Sequence, residues 1–108
     1  MDPNESDDVT LAREAFARAL RVKMIEGGVN IRDLAHRTRE GGAVGMAETT
    51  LGRYVRAEQS PRWTEQVLLA DALGVDVVDL IAYAVAEFEL LKGGGASKRA
   101  TRIRRITH

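Results

Sequence analysis

Thr38–Thr50 reads TREGGAVGMAETT, and the fold turns on what this stretch is. Three glycines, Gly41, Gly42 and Gly45, stand between two helical patterns. A nucleotide-cradling loop follows a strand and carries GxGxxG or GxxxxGK followed by Ser or Thr. GGAVG is neither, and a helix precedes it, so that chemistry is excluded. A domain linker is excluded as well, because the helices on either side are both needed for one core. The stretch is therefore a turn inside one helical unit.

Upstream, Ile31, Leu34, Ala35 and Thr38 line one side of a helix predicted over 31–39, with Asn30 as N-cap and Asp33 three residues on. Downstream, AETTLGRYVRA predicts a helix over 47–57. Leu51, Tyr54 and Val55 share its inner face, and Glu48, Thr49, Gly52, Arg53 and Arg56 point elsewhere. Gly52 inside it costs about 1 kcal/mol relative to Ala, which marks a place where something approaches closely. An amphipathic helix is predicted over 9–26, capped by Asp8 and stopped by Gly27-Gly28. Another runs over 61–73, from Pro61 to the stop at Gly74, with Trp63, Val67, Leu69, Ala70 and Leu73 expected in the core. The last, over 77–92, is capped by Asp76 with Asp79 at the third position. It is apolar nearly all round, which calls for burial on more than one side. No stretch reads as a strand and no repeat is visible. The expected fold is all-α with five helices: a leader at 1–8 without order, a helical domain at 9–92, and a Gly-linked basic tail at 93–108.

The chain of 108 residues accommodates one domain. Cysteine is absent, which excludes disulfides and thiolate metal sites and fits the cytoplasm of a bacterium or infected host. There is no apolar run of membrane-spanning length, and MDPNESDD is the opposite of a secretory signal. The formal net charge of zero hides an asymmetry. Residues 1–92 hold all 16 acidic residues against 11 Lys and Arg, and the last 16 residues hold Lys98, Arg99, Arg102, Arg104 and Arg105 with no acid.

Three signatures in order then align with a known family. GVNIRDLAHRT, AETTLGRYVRAEQSPR and LADALGVDVVDL resemble the second helix, the recognition helix with its proline loop, and the fourth-to-fifth helix junction of the phage-repressor and Cro-like (XRE, lambda-repressor-like) helix-turn-helix proteins. They cover about residues 30–80. The resemblance implies a regulator that occupies double-stranded DNA, with the helix at 47–57 in the major groove. By position it implies base contacts from Glu48, Thr49, Gly52 and Arg53. A bidentate pairing of Arg53 with guanine, Glu48 accepting from a cytosine amino group, and Thr49 meeting a thymine methyl or base edge fit that role. Glu48 has a second reading, as a favourable charge at a helix N-terminus. Asn30, Arg32 and Arg56 match phosphate-contacting places, and Arg62 lies near one. Arg37 or Arg39, with backbone amides of the glycine stretch, offers a further phosphate contact. The stretch equally serves as a flexible, lengthened connection.

The chain departs from the family at three points. Val55 and Met24 stand where the family often pairs Glu with Arg; losing both members of a buried pair is compatible with the same packing. Ala47 replaces a Ser or Thr N-cap, a loss of about 1 kcal/mol. The turn is elongated, by roughly six residues over the family's usual connection of about four.

The apolar last helix implies a two-fold homodimer through Ile81, Val85, Phe88 and Leu91, and no cofactor, metal or small-molecule ligand is expected. His36 lies outside with no metal partner. No catalytic arrangement stands out, so no enzyme is expected. The basic tail reads as a DNA-tracking arm, as a solubilising segment, or, through Ile103 and Ile106, as a helix docking on a partner. The rival function is an antitoxin of the same fold, binding a toxin protein and repressing its own operon. A non-DNA interaction module is the other rival, motivated by the acidic body.

Overall fold

The computed structural model describes residues 3–40 and 45–93. Five helices follow in order: α1 Pro3–Gly27, α2 Ile31–Glu40, α3 Glu48–Val55, α4 Trp63–Leu73 and α5 Val77–Leu91. The described residues contain no strand. The basic tail lies outside the described residues, as do Gly41 and Gly42.

Local chemistry explains most helix ends. At α2 the caps are reciprocal: the Asp33 amide donates to Asn30 Oδ1 at 2.8 Å and the Asn30 amide to Asp33 Oδ2 at 3.3 Å. Asp76 caps α5 by accepting from the Val78 amide at 2.8 Å. Gly74 ends α4 in the left-handed region, at φ 72°. The start of α1 is a correction. The helix begins at Pro3 and not at Val9, so Asp8 lies within it instead of capping it. Proline suits a first helical turn, and the acidic residues that follow suit the positive end of the helix dipole. The start of α4 is another. Pro61 precedes the helix, and the Glu65 carboxylate accepts the Arg62 amide at 2.9 Å.

The core is one cluster fed by all five helices. Leu20, Leu34, Leu51, Tyr54, Leu69 and Leu80 are its largest fully buried side chains. Small residues on α1, Ala15 and Ala19 among them, are also buried, and α1 packs chiefly on α5. Two expected core residues are not in it: Trp63 is 59% and Val67 38% exposed. They lie one helical turn apart in the N-terminal half of α4, whereas its buried residues, Leu69, Ala70, Ala72 and Leu73, lie in the C-terminal half. On α5, Leu80 and Ala84 are buried, whereas Val78, Val85 and Leu90 are half exposed or more. In the single chain the apolar girdle of this helix is covered on one side.

The glycine-bearing connection is tied at its base. The buried Thr38 hydroxyl donates to the Ala35 carbonyl at 2.7 Å and accepts from the Met46 amide at 3.0 Å. Met46 itself enters the core. A Cβ on Gly45 would overlap Arg39 Cγ and come within 3.2 Å of Arg39 Cα, so only glycine fits there. Thr38→Val keeps the shape and removes both bonds, leaving a buried amide unpaired. We expect it to cost about 1–3 kcal/mol, read by urea denaturation; an unchanged midpoint would show that the latch contributes nothing.

Past α3 the chain reverses through a six-to-one closure. The Glu58 amide donates to the Arg53 carbonyl at 2.8 Å and the Ala57 amide to the Tyr54 carbonyl at 3.2 Å. Ala57 adopts φ 61°, the sole positive-φ non-glycine residue among those described. Alanine carries a steric penalty there that glycine does not. Ala57→Gly is therefore expected to stabilise the fold by about 1 kcal/mol, visible as a higher denaturation midpoint.

Candidate nucleic-acid interface

The short helix α3 is oriented from its inner side. Leu51 and Tyr54 are fully buried, and Val55 packs against the same cluster. Glu48, Thr49, Arg53 and Arg56 consequently point to solvent. The Tyr54 hydroxyl donates to Glu65 Oε2 at 2.6 Å, which ties α3 to the first turn of α4. Ala47 offers no side chain to the α3 N-terminus, so its first amides are uncapped by the N-cap side chain.

The far end of α3 is held by a residue that sequence reasoning missed. Arg21 on α1 donates through Nη1 to the Val55 carbonyl at 2.6 Å and through Nη2 to Glu14 at 3.1 Å. Burial alone would raise the Glu14 carboxyl, but Arg21 and Arg18 outweigh it and hold it below the usual carboxylate range. Val55 thus contributes a backbone carbonyl to an arginine where the family resemblance implied a side-chain carboxylate. The sole advance signal was the seven-residue spacing of Glu14 and Arg21, which puts them on one face of α1.

The residues expected at a nucleic-acid surface are in different situations. Arg53 is exposed and makes no ion pair among the described residues. Glu48 and Thr49 are exposed one turn before it. Arg56 is paired: its Nε lies 2.5 Å from Glu58 Oε2, which holds the Glu58 carboxyl below its usual range. Gly52 is buried, and the atoms nearest to its missing Cβ belong to the Arg56 guanidinium. Asn30, Arg32 and Arg62 are exposed, the first with its carbonyl oxygen engaged in capping. Arg39 is exposed beside Gly45. Arg37 donates to the Ala72 carbonyl at 3.3 Å, across to the end of α4. His36 lies outside, 3.0 Å from Glu40.

Elsewhere Phe16, Pro61, Ile81, Ala84, Val85 and Phe88 line an apolar groove of about 280 Å³ between α1, α5 and the loop before α4. Three of the four residues expected at a dimer interface are in it; Leu91 is half-buried further along α5. Among the described residues no helix is long and apolar enough to cross a membrane.

No protein-family model matches the chain, and no curated protein matches it. Solved structures do. Two are of the clp gene regulator ClgR from Corynebacterium glutamicum. One has a TM-score of 0.66 at 25% identity, covering 90% of this chain and 94% of that one. The other has a TM-score of 0.60 at 27% identity, covering 69% and 90%. The all-α, five-helix architecture expected from sequence is thus similar to that of a gene regulator.

Proposed function

We propose that this chain is a sequence-specific DNA-binding transcriptional regulator, a repressor of the phage type that occupies a near-palindromic operator as a homodimer. The observation that carries the reading is α3: a helix pinned by Leu51 and Tyr54, with Arg53 exposed and free of an ion pair among the described residues. Likeness to a gene regulator supports it.

In this reading α3 enters the major groove, and Glu48, Thr49 and Arg53 meet base edges. Asn30, Arg32 and Arg62 contact phosphates on either side, with Arg39 beside the turn. Arg37 is reserved for the fold by its bond to Ala72. The exposed apolar side of α5, with Ile81, Val85, Phe88 and Leu91, seats a second copy. That sets two recognition helices about 34 Å apart, one helical turn of DNA. Bound protein then excludes the transcription machinery from the operator. No cofactor or small-molecule ligand enters this scheme.

A gel-shift titration of the purified chain against duplex fragments flanking its gene tests it. A fragment bound at low salt, with a symmetric protected site, is the expected result. Absence of any bound fragment at low salt would sink the reading. A purified chain that binds DNA only when joined by a different protein would favour the antitoxin alternative.

A further inference from the structure

The outward face of α3 runs through positions 48, 49, 52, 53 and 56, and position 52 has no side chain to offer. Its place is nonetheless filled. An ideal Cβ on Gly52 would lie 2.9 Å from Arg56 Nη1 and 3.6 Å from both Cζ and Nη2. The Arg56 guanidinium has folded back by about one helical turn, some 5.4 Å along the axis, and lies where the residue 52 side chain would stand.

Glu58 holds it there. Its carboxylate takes the Arg56 Nε at 2.5 Å. That engages Nε and leaves Nη1 and Nη2 without a hydrogen bond among the described residues. Glu58 reaches this point because Ala57 takes a left-handed conformation, φ 61°, and closes the turn onto the Arg53 carbonyl. Both Arg56 and Glu58 are more than half exposed, so burial does not account for the arrangement.

We propose that Arg56 reads a base edge through the space left by Gly52, with Glu58 as its positioning residue. The inference rests on the regulator reading above and revises the phosphate role that the family resemblance implied for Arg56. The physical grounds are two. A phosphate contact draws on net positive charge, whereas this guanidinium is oriented and partly neutralised by Glu58. It also stands midway along the exposed face, beside Thr49 and Arg53, where a groove-bound helix meets base edges. A planar fork in that position matches the O6 and N7 acceptors of guanine. Lysine has no such fork.

The test begins by selecting binding sites from random duplex DNA with the full chain. Arg56→Lys, Arg56→Ala, Gly52→Ala and Glu58→Gln are then measured on the selected site, on its single-base variants and on random duplex, over a salt series. Arg56→Lys and Gly52→Ala are expected to lose discrimination at one and the same base pair, by about 5- to 100-fold. Their salt slopes on random duplex stay at the parent value, since both keep the charge. Glu58→Gln is expected to lose part of that discrimination while binding random duplex at least as well. Gly52→Ala should also melt no lower than the parent, because alanine favours the helix and only a flexible side-chain end must move; misfolding is thereby separated from lost reading.

If Arg56→Ala weakens selected and random duplex alike, lowers the salt slope by about 1, and is rescued by Arg56→Lys, then Arg56 is a phosphate contact and the proposal is overturned. A selected motif indifferent to Arg56→Lys and Gly52→Ala overturns this proposal alone. A parent chain that enriches no motif overturns the regulator reading and this proposal with it.

Discussion

Arg53→Ala is expected to erase the preference for operator over random duplex and to leave the fold as it is. The residue is exposed and makes no ion pair among the described residues. Truncation of such a surface residue changes stability by no more than about 0.5 kcal/mol. A bidentate arginine–guanine contact discriminates by about 1–3 kcal/mol, and the proposed two-fold dimer would make it twice. Competition binding between operator and random duplex, with a thermal melt on the same sample, reads both quantities. Preference surviving the substitution would show that α3 is not the reading helix.

Tyr54→Ala should have the largest effect on stability of any substitution considered, about 3–5 kcal/mol by analogy with buried aromatic truncations. A domain of this size has about 5–15 kcal/mol in total. Tyr54 is 1% exposed and contacts the core from the last turn of α3. Its hydroxyl also reaches Glu65, which in turn takes the Arg62 amide. The milder Tyr54→Phe isolates that bond through pH. The Tyr54 hydroxyl and the Arg62 amide hold the Glu65 carboxyl below its usual value of 4.5. A depressed carboxyl contributes stability above pH 4.5 that is lost as pH falls through the lower, folded value. Burial, then Glu65, raises the tyrosine above its usual 10.0, so its contribution is present below pH 10 and lost as pH rises beyond that. Urea denaturation across pH should show both limbs flattened in Tyr54→Phe. Parallel curves for the two proteins would dissociate the pair from stability.

The helix ends legible in the sequence are those set by local chemistry. Asn30 with Asp33, Asp76 and Gly74 each act within four residues, and each works as its residue type and spacing imply. What stayed hidden is non-local or conformational. Arg21 meets the Val55 carbonyl across 34 positions, and a backbone acceptor has no residue type to read. Ala57 occupies a turn conformation for which glycine is the usual sign. Trp63 reads as core on hydrophobicity, but it is the first residue of α4, and the buried residues of that helix, Leu69, Ala70, Ala72 and Leu73, all lie in its C-terminal half. Gly52 was read as a place of close approach, and within the chain it is Arg56 that approaches.

The exposure of Trp63 has an optical consequence. It is the single tryptophan of the chain, and its indole is already more than half in water when the protein is folded, next to Arg62. Its emission colour will therefore change little when the chain unfolds, and a fluorescence melt would understate the transition. The same indole stands beside Arg62, which the proposed function places at the DNA backbone. Its intensity and anisotropy would respond to a duplex arriving there, making it an unlabelled reporter of complex formation.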